Sequence, residues 1–349
     1  MGKKLVFLKS ILYSNFARLG FPLKISYAVT YRCNLQCKIC NIWKKPPSKD
    51  ELTPGEVDVF FRKANKFFWV GLTGGEVFLR EDLPEVVGSI LTHCKDLYSL
   101  HVATNGQLKD KVVDLVNFIR KKHTALKIIF TVSIDGPISL HDQLRGKEGA
   151  WEKAMQTFLA LKPMDNVKPQ IGFTLSAYNA SSFPDTFAAI KERYPALRFD
   201  DININIFQKS AIYYENQDMP ECDYQDLVNR TRQILEMDQD AFSVNNFLRR
   251  SYLRLFPRYV RRKRYPIRCQ ALSSTCFLDP CGNIYPCLAF NKKLVNIRQM
   301  SKDFTWFWNS QESVALAKAC SQGQCPSCWS PCDAYSAIGG SLAQSLCAS

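Results

Sequence analysis

Short apolar runs alternate with amphipathic segments through the first two thirds of this 349-residue chain. The apolar runs are rich in β-branched and aromatic residues and are bounded by turn-forming residues, which is typical of strands. Their alternation with helical patterns predicts βα units and a parallel sheet. Strands are predicted at 24–30, 67–73, 97–103, 127–134, 169–176 and 199–206. Helices are predicted from Thr53, where Pro54 and Glu56 complete a capping box, and over 108–122, 149–162 and 183–193.

Six strands are fewer than the eight of a closed barrel, so the predicted fold class is α/β, with a partial (β/α)6 barrel of the TIM type. Residues 215 to 263 are polar and helical in pattern, without strand signals. Beyond them the chain is rich in cysteine, and 276–287 has the pattern of a β-hairpin. The predicted regions are a basic amphipathic segment (1–22), the barrel (23–215), a helical linker (216–263) and a small cysteine-rich domain (264–349).

The net charge of +14 favours an anionic partner. Nucleic acid is disfavoured, because the positive charge is spread along the chain apart from the run Arg258–Arg268. Apolar stretches are broken by charges well before a membrane span, and Lys9 interrupts the only segment that resembles a secretory signal, so we expect a cytoplasmic protein. Residues 3–19 predict a basic amphipathic helix. We expect it to pack over the edge of the domain, and peripheral contact with a membrane is the alternative.

Three cysteines directly follow the first predicted strand: Cys33, Cys37 and Cys40, in a C-x3-C-x2-C arrangement. With 14 cysteines and no export signal, metal binding is favoured over disulfides. A closed zinc site needs four ligands, and none of the four histidines lies near this loop. Either a distant residue such as Cys94 completes a structural zinc site, or the missing ligand leaves a position open for a small molecule.

The loop resembles the radical S-adenosylmethionine superfamily, whose signature CxxxCxxC follows the first barrel strand. Weaker motifs agree: Thr73–Glu76 (TGGE), Thr104–Gly106 (TNG) and Ser133–Pro137 (SIDGP) end the next three predicted strands. The resemblance implies that the three cysteines bind a [4Fe–4S] cluster and that S-adenosylmethionine chelates its open iron. It further implies contacts with S-adenosylmethionine from Ile39, Gly74, Gly75, Glu76, Asn105, Ser133 and Arg145.

The tail resembles the SPASM and twitch domains that hold auxiliary clusters in relatives of this family. Cys269, twelve further residues, Gly282, four further residues and Cys287 match their C-x9–15-G-x4-C pattern, and Cys325-x2-Cys328 follows. The resemblance implies one auxiliary [4Fe–4S] cluster bound by Cys269, Cys287, Cys325 and Cys328. A second cluster could draw on Cys320, Cys332 and Cys347, but their spacings do not match, so one cluster is favoured.

The function that the resemblance implies is reductive cleavage of S-adenosylmethionine to a 5′-deoxyadenosyl radical, which abstracts hydrogen from a substrate. The auxiliary cluster would assist electron transfer, and flavodoxin or ferredoxin would donate electrons. The substrate is expected to be a small molecule, anionic or lipid- or sugar-like, or a peptide. Position alone suggests substrate contacts at Asp201, Asn203, Asn205, Gln208 and Arg268. The alternative class is a non-catalytic iron–sulfur electron carrier or scaffold.

Overall fold

The structure is a computed structural model that describes residues 3–123, 126–220 and 222–341, apart from the side chains of Lys4 and Cys332. Its described strands form one sheet in the order β6-β5-β4-β3-β2-β1-β7-β8-β9. Strands β1 to β6 are all parallel, each beside the next in sequence. The strands are β1 Lys24–Thr30, β2 Trp69–Gly74, β3 Ser99–Thr104, β4 Lys127–Ser133, β5 Val167–Leu175, β6 Ile202–Ile206, β7 Thr275–Leu278, β8 Asn283–Tyr285 and β9 Val295–Asn296.

Helices connect the parallel strands, as right-handed βα units require. They are α1 Lys3–Tyr13, α2 Pro54–Lys63, α3 Leu83–His93, α4 Lys109–Lys122, α5 Ile138–Arg145, α6 Ala150–Leu161, α7 Phe183–Arg193, α8 Tyr224–Met237, α9 Val244–Arg262, α10 Phe304–Trp308, α11 Gln311–Ser321 and α12 Pro331–Gly340. None of these described helices has both the length and the apolar content that crossing a bilayer needs. The predicted α/β class and partial six-stranded barrel are confirmed.

The cysteine-rich tail continues the barrel sheet. Strand β7 pairs in parallel with β1, from Lys24 beside Thr275 to Tyr27 beside Leu278, and β8 turns back antiparallel on β7. The predicted hairpin is therefore present, and it lengthens the sheet at the β1 edge. The boundaries assigned to the four regions stay predictions.

The other edge of the barrel, at β6, is also covered by the tail. The Tyr335 hydroxyl of α12 donates to Asn203 Oδ1 of β6 at 2.8 Å. Behind it the ring of Tyr252 of α9 stacks on Trp329, 5.2 Å between centroids, and its hydroxyl donates to the Trp329 carbonyl at 2.8 Å. Tail segments thus contact both edges of the open barrel.

The predicted N-terminal helix forms α1 and packs where the barrel strands begin. Phe7 stacks on Phe68, which precedes β2, and contacts Tyr98, which precedes β3. On the same side, Ile11 abuts Gly339 of α12. The expected packing of this helix over the domain is therefore observed.

Candidate active site

A large cavity opens at the end of the barrel where the parallel strands finish. It leaves about 1920 Å³ unfilled by protein atoms, part of it open to solvent. The cavity continues along the inner faces of β3 to β6, past His101, Thr131, Gln170 and Asn203. Of the predicted site residues, the lining includes Cys33, Cys37, Ile39, Cys40, Gly74, Gly75, Asn105, Ser133 and Arg145.

The three cysteines of the loop after β1 face this cavity as free thiols. Burial raises the pKa of Cys33 to about 11 and that of Cys40 to about 12, and the charge of Cys37 contributes to both increases. Burial therefore keeps Cys33 and Cys40 protonated until a metal offers their thiolates a positive charge. The donor set therefore fits an iron–sulfur cluster.

The cysteine loop is held by the segment 207–218, which follows β6. The Asn41 backbone N–H donates to the Tyr214 carbonyl at 2.9 Å, and its side chain donates to the Glu215 carbonyl at 3.0 Å. Lys45 Nζ donates to the Ile212 carbonyl at 2.5 Å. These bonds fix the far side of the loop, so its three thiols keep their direction toward the cavity.

Tyr213, in the same segment, was not predicted from the sequence. Its buried hydroxyl accepts from the Gly74 N–H and donates to the Gly74 carbonyl, each at 3.0 Å, and also bonds the Thr73 hydroxyl. The available signal was an aromatic pair, Tyr213–Tyr214, just past the end of the sixth strand, where barrel active sites form. Tyr213 therefore positions the backbone that was predicted to receive S-adenosylmethionine.

The two glycines of the TGGE motif are required by close backbone packing. A Cβ on Gly74 would lie 2.0 Å from the Thr30 carbonyl oxygen, and one on Gly75 would lie 2.1 Å from that of Arg32. Gly74 also has φ +137°, which disfavours a side chain. The Gly75 N–H donates to the Thr30 carbonyl at 2.9 Å. The motif thus joins the end of β2 to the start of the cysteine loop.

Glu76 lies behind the cavity wall and is fully buried. Its carboxylate accepts from the Thr104 hydroxyl at 2.8 Å, the Asn105 N–H at 2.7 Å and the Phe78 N–H at 3.3 Å. Burial raises its pKa to about 7, although these hydrogen bonds oppose the shift. Glu76 joins the motifs at the ends of β2 and β3, and its contact with S-adenosylmethionine stays a prediction.

Arg145 is the cation closest to the cysteine loop in the described cavity lining. Its Nη2 pairs with Asp135 at 2.5 Å, and its Nη1 lies 3.7 Å from Cys37 Sγ. Burial alone would lower the Arg145 pKa, but the charges of Asp135, Cys37 and Cys40 raise it. Arg145 therefore carries a permanent positive charge beside the thiols, and its buried Nε has no protein partner in the described part of the chain.

The remaining predicted contacts fall into two groups, those that line the cavity and those that are bonded elsewhere. Asn105 lines the cavity and donates to Asn34 Oδ1 of the cysteine loop at 2.7 Å. Asn203, Asn205 and Gln208 also line it. In contrast, Asp201 pairs with Lys162 at 2.7 Å, and Arg268 donates to the Asn15 carbonyl. Cys94, the alternative fourth ligand, is buried at the carboxyl end of α3, where the strands begin and not where the cysteine loop lies.

The tail gathers a second set of thiols. Cys269 and Cys320 pack in one buried cluster with Cys287 and Cys325 against it, and Cys328 hydrogen bonds with Cys287. Burial and the neighbouring thiols raise the pKa of Cys320 to about 12. The structure thus brings together the four predicted auxiliary ligands and adds Cys320, which the spacing had set aside. The Cys332 side chain and Cys347 lie outside the described residues.

Among the described residues, no three His, Cys, Asp or Glu side chains converge in a way that would hold a single metal ion. In a [4Fe–4S] cluster each thiolate ligates its own iron, so the sulfurs need not point at one atom. The assignment of a cluster to each cysteine group therefore rests on the type of donor atom and on the shared location of the thiols.

Comparison with known proteins agrees with the motifs. Residues 27–167 match the model of the Radical SAM superfamily. The match lies within the barrel and spans less than half of the chain. The matched residues include the cysteine loop and all the predicted contacts with S-adenosylmethionine, from Ile39 to Arg145.

Similarity to individual proteins extends into the tail. The antilisterial bacteriocin subtilosin biosynthesis protein AlbA of Bacillus subtilis is 23% identical over 87% of this chain and 65% of its own length. The AdoMet-dependent heme synthase of Nitratidesulfovibrio vulgaris is 25% identical over 92% of this chain and 87% of its own length. This chain spans less than two thirds of AlbA, and it matches 38% of the length of the sporulation killing factor maturation protein SkfB of Bacillus subtilis.

Solved structures share the fold. The AdoMet-bound anSMEcpe superposes with a TM-score of 0.61 at 15% identity, over 86% of this chain and 84% of that one. SuiB of Streptococcus suis gives a TM-score of 0.59, also at 15% identity, over 88% of this chain and 70% of that one. The shared fold therefore covers both the barrel and much of the tail.

Proposed function

We propose that this protein is a radical SAM enzyme that cleaves S-adenosylmethionine reductively and removes a hydrogen atom from a substrate in the same cavity. One observation carries the proposal: the three thiols and the predicted S-adenosylmethionine contacts other than Glu76 line a single cavity that continues into the barrel. An electron carrier has no use for such a cavity beside its cluster. Catalytic metal sites, in contrast, keep a position open toward the substrate.

A [4Fe–4S] cluster on Cys33, Cys37 and Cys40, with S-adenosylmethionine bound, would supply the one-electron cleavage and the 5′-deoxyadenosyl radical. The chain supplies position and charge. Arg145 can donate to the carboxylate of the methionine moiety while its pairing with Asp135 fixes its direction. The Gly74 carbonyl, oriented by Tyr213, has a second lone pair for the amino group.

The deeper part of the cavity is the proposed substrate site. Its wall combines apolar and polar side chains. Among the polar ones His101 bonds Thr131 at 2.8 Å, and burial, with the charge of Lys24, lowers the pKa of His101 to about 4. Buried polar atoms without a protein partner in the described chain include Trp69 Nε1 and Gln208 Oε1. Such atoms favour a polar ligand that donates and accepts hydrogen bonds.

This wall suits a small polar molecule or one side chain of a peptide. Both classes occur among the similar proteins, since AlbA is named for bacteriocin biosynthesis and one SuiB structure contains the precursor peptide SuiA, whereas other relatives are heme synthases. The tail thiols Cys269, Cys287, Cys325 and Cys328 are proposed to hold an auxiliary [4Fe–4S] cluster. Flavodoxin or ferredoxin is the proposed electron donor.

Anaerobic reconstitution with iron and sulfide, followed by a strong reductant and S-adenosylmethionine, tests the proposal. We expect 5′-deoxyadenosine from the wild-type chain and none after Cys33, Cys37 and Cys40 are changed together to Ala. Cys222→Ala, a thiol outside both groups, is the matched control and should keep full cleavage. Reconstituted protein that holds iron and sulfide but forms no 5′-deoxyadenosine would favour an electron carrier.

A further inference from the structure

The amino end of the barrel, where the strands begin, exposes an unusual number of large apolar side chains. Among the described residues, seven of the twelve strongly exposed large apolar side chains lie at this end, between 43% and 84% exposed. A soluble protein has no reason to cluster them on one face. They are Leu5, Leu8, Leu12, Tyr13, Phe16, Phe242 and Val244, and together they are called the amino-end patch.

The α1 part of this patch is a helical stripe. Leu5, Leu8 and Leu12 repeat at the spacing of one helix face, and Phe16 continues it. This is not the face that packs on the protein, because Phe7 and Ile11 already make those contacts. A surface helix normally turns polar residues outward, so this stripe is suited to a second apolar surface.

A second element places Phe242 and Val244 at the same end. Ser243, between them, donates to Asp200 Oδ1 at 2.6 Å, and Asp200 lies in the short 3-10 turn before β6. The α9 helix that begins here and α1 both pack on α12, because Leu248 and Ile11 both abut Gly339. The patch is therefore built from two separate chain segments at one end of the molecule.

Lysines accompany the patch. Lys3 of α1 donates to the Lys95 carbonyl, which holds the helix beside the loop after α3. Burial and the positive charges of Lys95, Lys122 and Lys3 lower the pKa of His123, so all three ammonium groups lie near one point. Lys122 belongs to the run Arg120-Lys121-Lys122 that ends α4. Apolar protrusions beside a group of like positive charges match a bilayer with anionic headgroups.

We propose that the amino-end patch docks this protein on an anionic membrane surface, with α1 lying in the interface. The apolar stripe enters the headgroup region, and the lysines beside it bind lipid phosphates. The cysteine loop follows the carboxyl end of β1 and therefore lies at the opposite end of the barrel. This inference goes beyond the proposed chemistry and does not depend on it.

Vesicle co-sedimentation of the full chain tests the proposal. The probes are phosphatidylcholine vesicles with and without phosphatidylglycerol. We expect binding to the anionic vesicles only, weakened by high salt. Leu8→Gln with Leu12→Gln should reduce the partition coefficient about tenfold or more. Phe242→Gln, on the other segment, should reduce it independently, and Lys95→Gln with Lys122→Gln should remove the salt dependence.

Val59→Gln and Val314→Gln are matched controls, because these valines are 41% and 45% exposed elsewhere on the surface. They should bind anionic vesicles like the wild type, and all variants should keep the wild-type melting temperature. The proposal fails if the wild type ignores anionic vesicles or if the Leu8/Leu12 variant binds as the controls do. It also fails if the patch mediates a concentration-dependent dimer that the Leu8/Leu12 variant abolishes, since a second copy would then cover it.

Discussion

The hydroxyl of Tyr213 bonds both backbone polar groups of Gly74, from a segment about 140 residues further along the chain. The bond connects the last barrel segment to the motif that ends β2. Because the same segment also holds Asn41 and Lys45 of the cysteine loop, it fixes two parts of the site at once.

Tyr213→Phe should weaken both folding and cofactor binding. Losing the hydroxyl leaves the partly buried Gly74 N–H and carbonyl without this partner, which costs about 1–3 kcal/mol. We expect the free energy of unfolding to fall by that amount in urea titration and S-adenosylmethionine binding to weaken several-fold. Tyr178→Phe, at an exposed tyrosine, should change neither quantity. If the two variants gave the same stability and the same S-adenosylmethionine affinity, the positioning role of Tyr213 would be wrong.

Gly75→Ala should disable the site. The added Cβ would meet the Arg32 carbonyl oxygen at 2.1 Å, so the cysteine loop or the end of β2 must move. A displacement of about 1 Å near reacting groups can cost about a hundredfold in rate, and we expect a loss of that size in 5′-deoxyadenosine formation. Gly55→Ala is the matched control, because nothing lies within 4 Å of its added Cβ. In its helix, alanine should raise stability by about 0.5–1 kcal/mol.

Glu76 should make stability depend on pH. Its folded pKa of about 7 lies above the ordinary 4.5, so the folded state binds more protons than the unfolded state between these values. Its contribution to stability therefore falls as pH rises from about 4.5 to about 7 and is constant above. Urea titrations across this range should show the decline in the wild type. Glu76→Gln should lack that part of the slope, and an unchanged slope would contradict the assignment.

Removing one auxiliary thiol should show whether the two cysteine groups bind separate clusters. With two [4Fe–4S] clusters the reconstituted chain holds about eight irons, and Cys269→Ala should reduce this to about four. Some S-adenosylmethionine cleavage should remain, because the cysteine loop is intact. Iron and sulfide assays beside Cys222→Ala provide the measurement. About eight irons in the Cys269 variant would mean that Cys320 replaces the lost ligand, and about four irons in both proteins would mean that the tail binds no cluster.

Much of the fold followed from local pattern. The predicted strands overlap all six barrel strands, and the capping box at Thr53 forms, with Glu56 accepting from the Thr53 N–H at 2.8 Å. Asp82 stands at the N-cap of α3 but makes no capping bond, because its carboxylate accepts from Arg80 instead. Arg80 is buried, so its guanidinium needs a negatively charged partner. The local sequence pattern does not show that Arg80 is buried.

No local sequence pattern indicated the parts of the site that are formed by residues far apart in the chain. The pairing of β7 with β1 and the bond from Tyr213 to Gly74 both join distant segments, so spacing could not indicate them. Cys320 was set aside because its spacing fits no motif, yet α11 brings it beside Cys269. The cysteine loop and the strand-end motifs could be predicted because parallel strands bring their carboxyl ends to one edge.

The central claim is that one iron of the cluster on Cys33, Cys37 and Cys40 has no protein ligand and binds S-adenosylmethionine. Electron paramagnetic resonance of the reduced protein tests it most directly, with Cys269→Ala used to remove the auxiliary signal. We predict that adding S-adenosylmethionine changes the spectrum of the remaining cluster. A spectrum that S-adenosylmethionine leaves unchanged would show an iron already capped by a fourth side chain and would contradict the account.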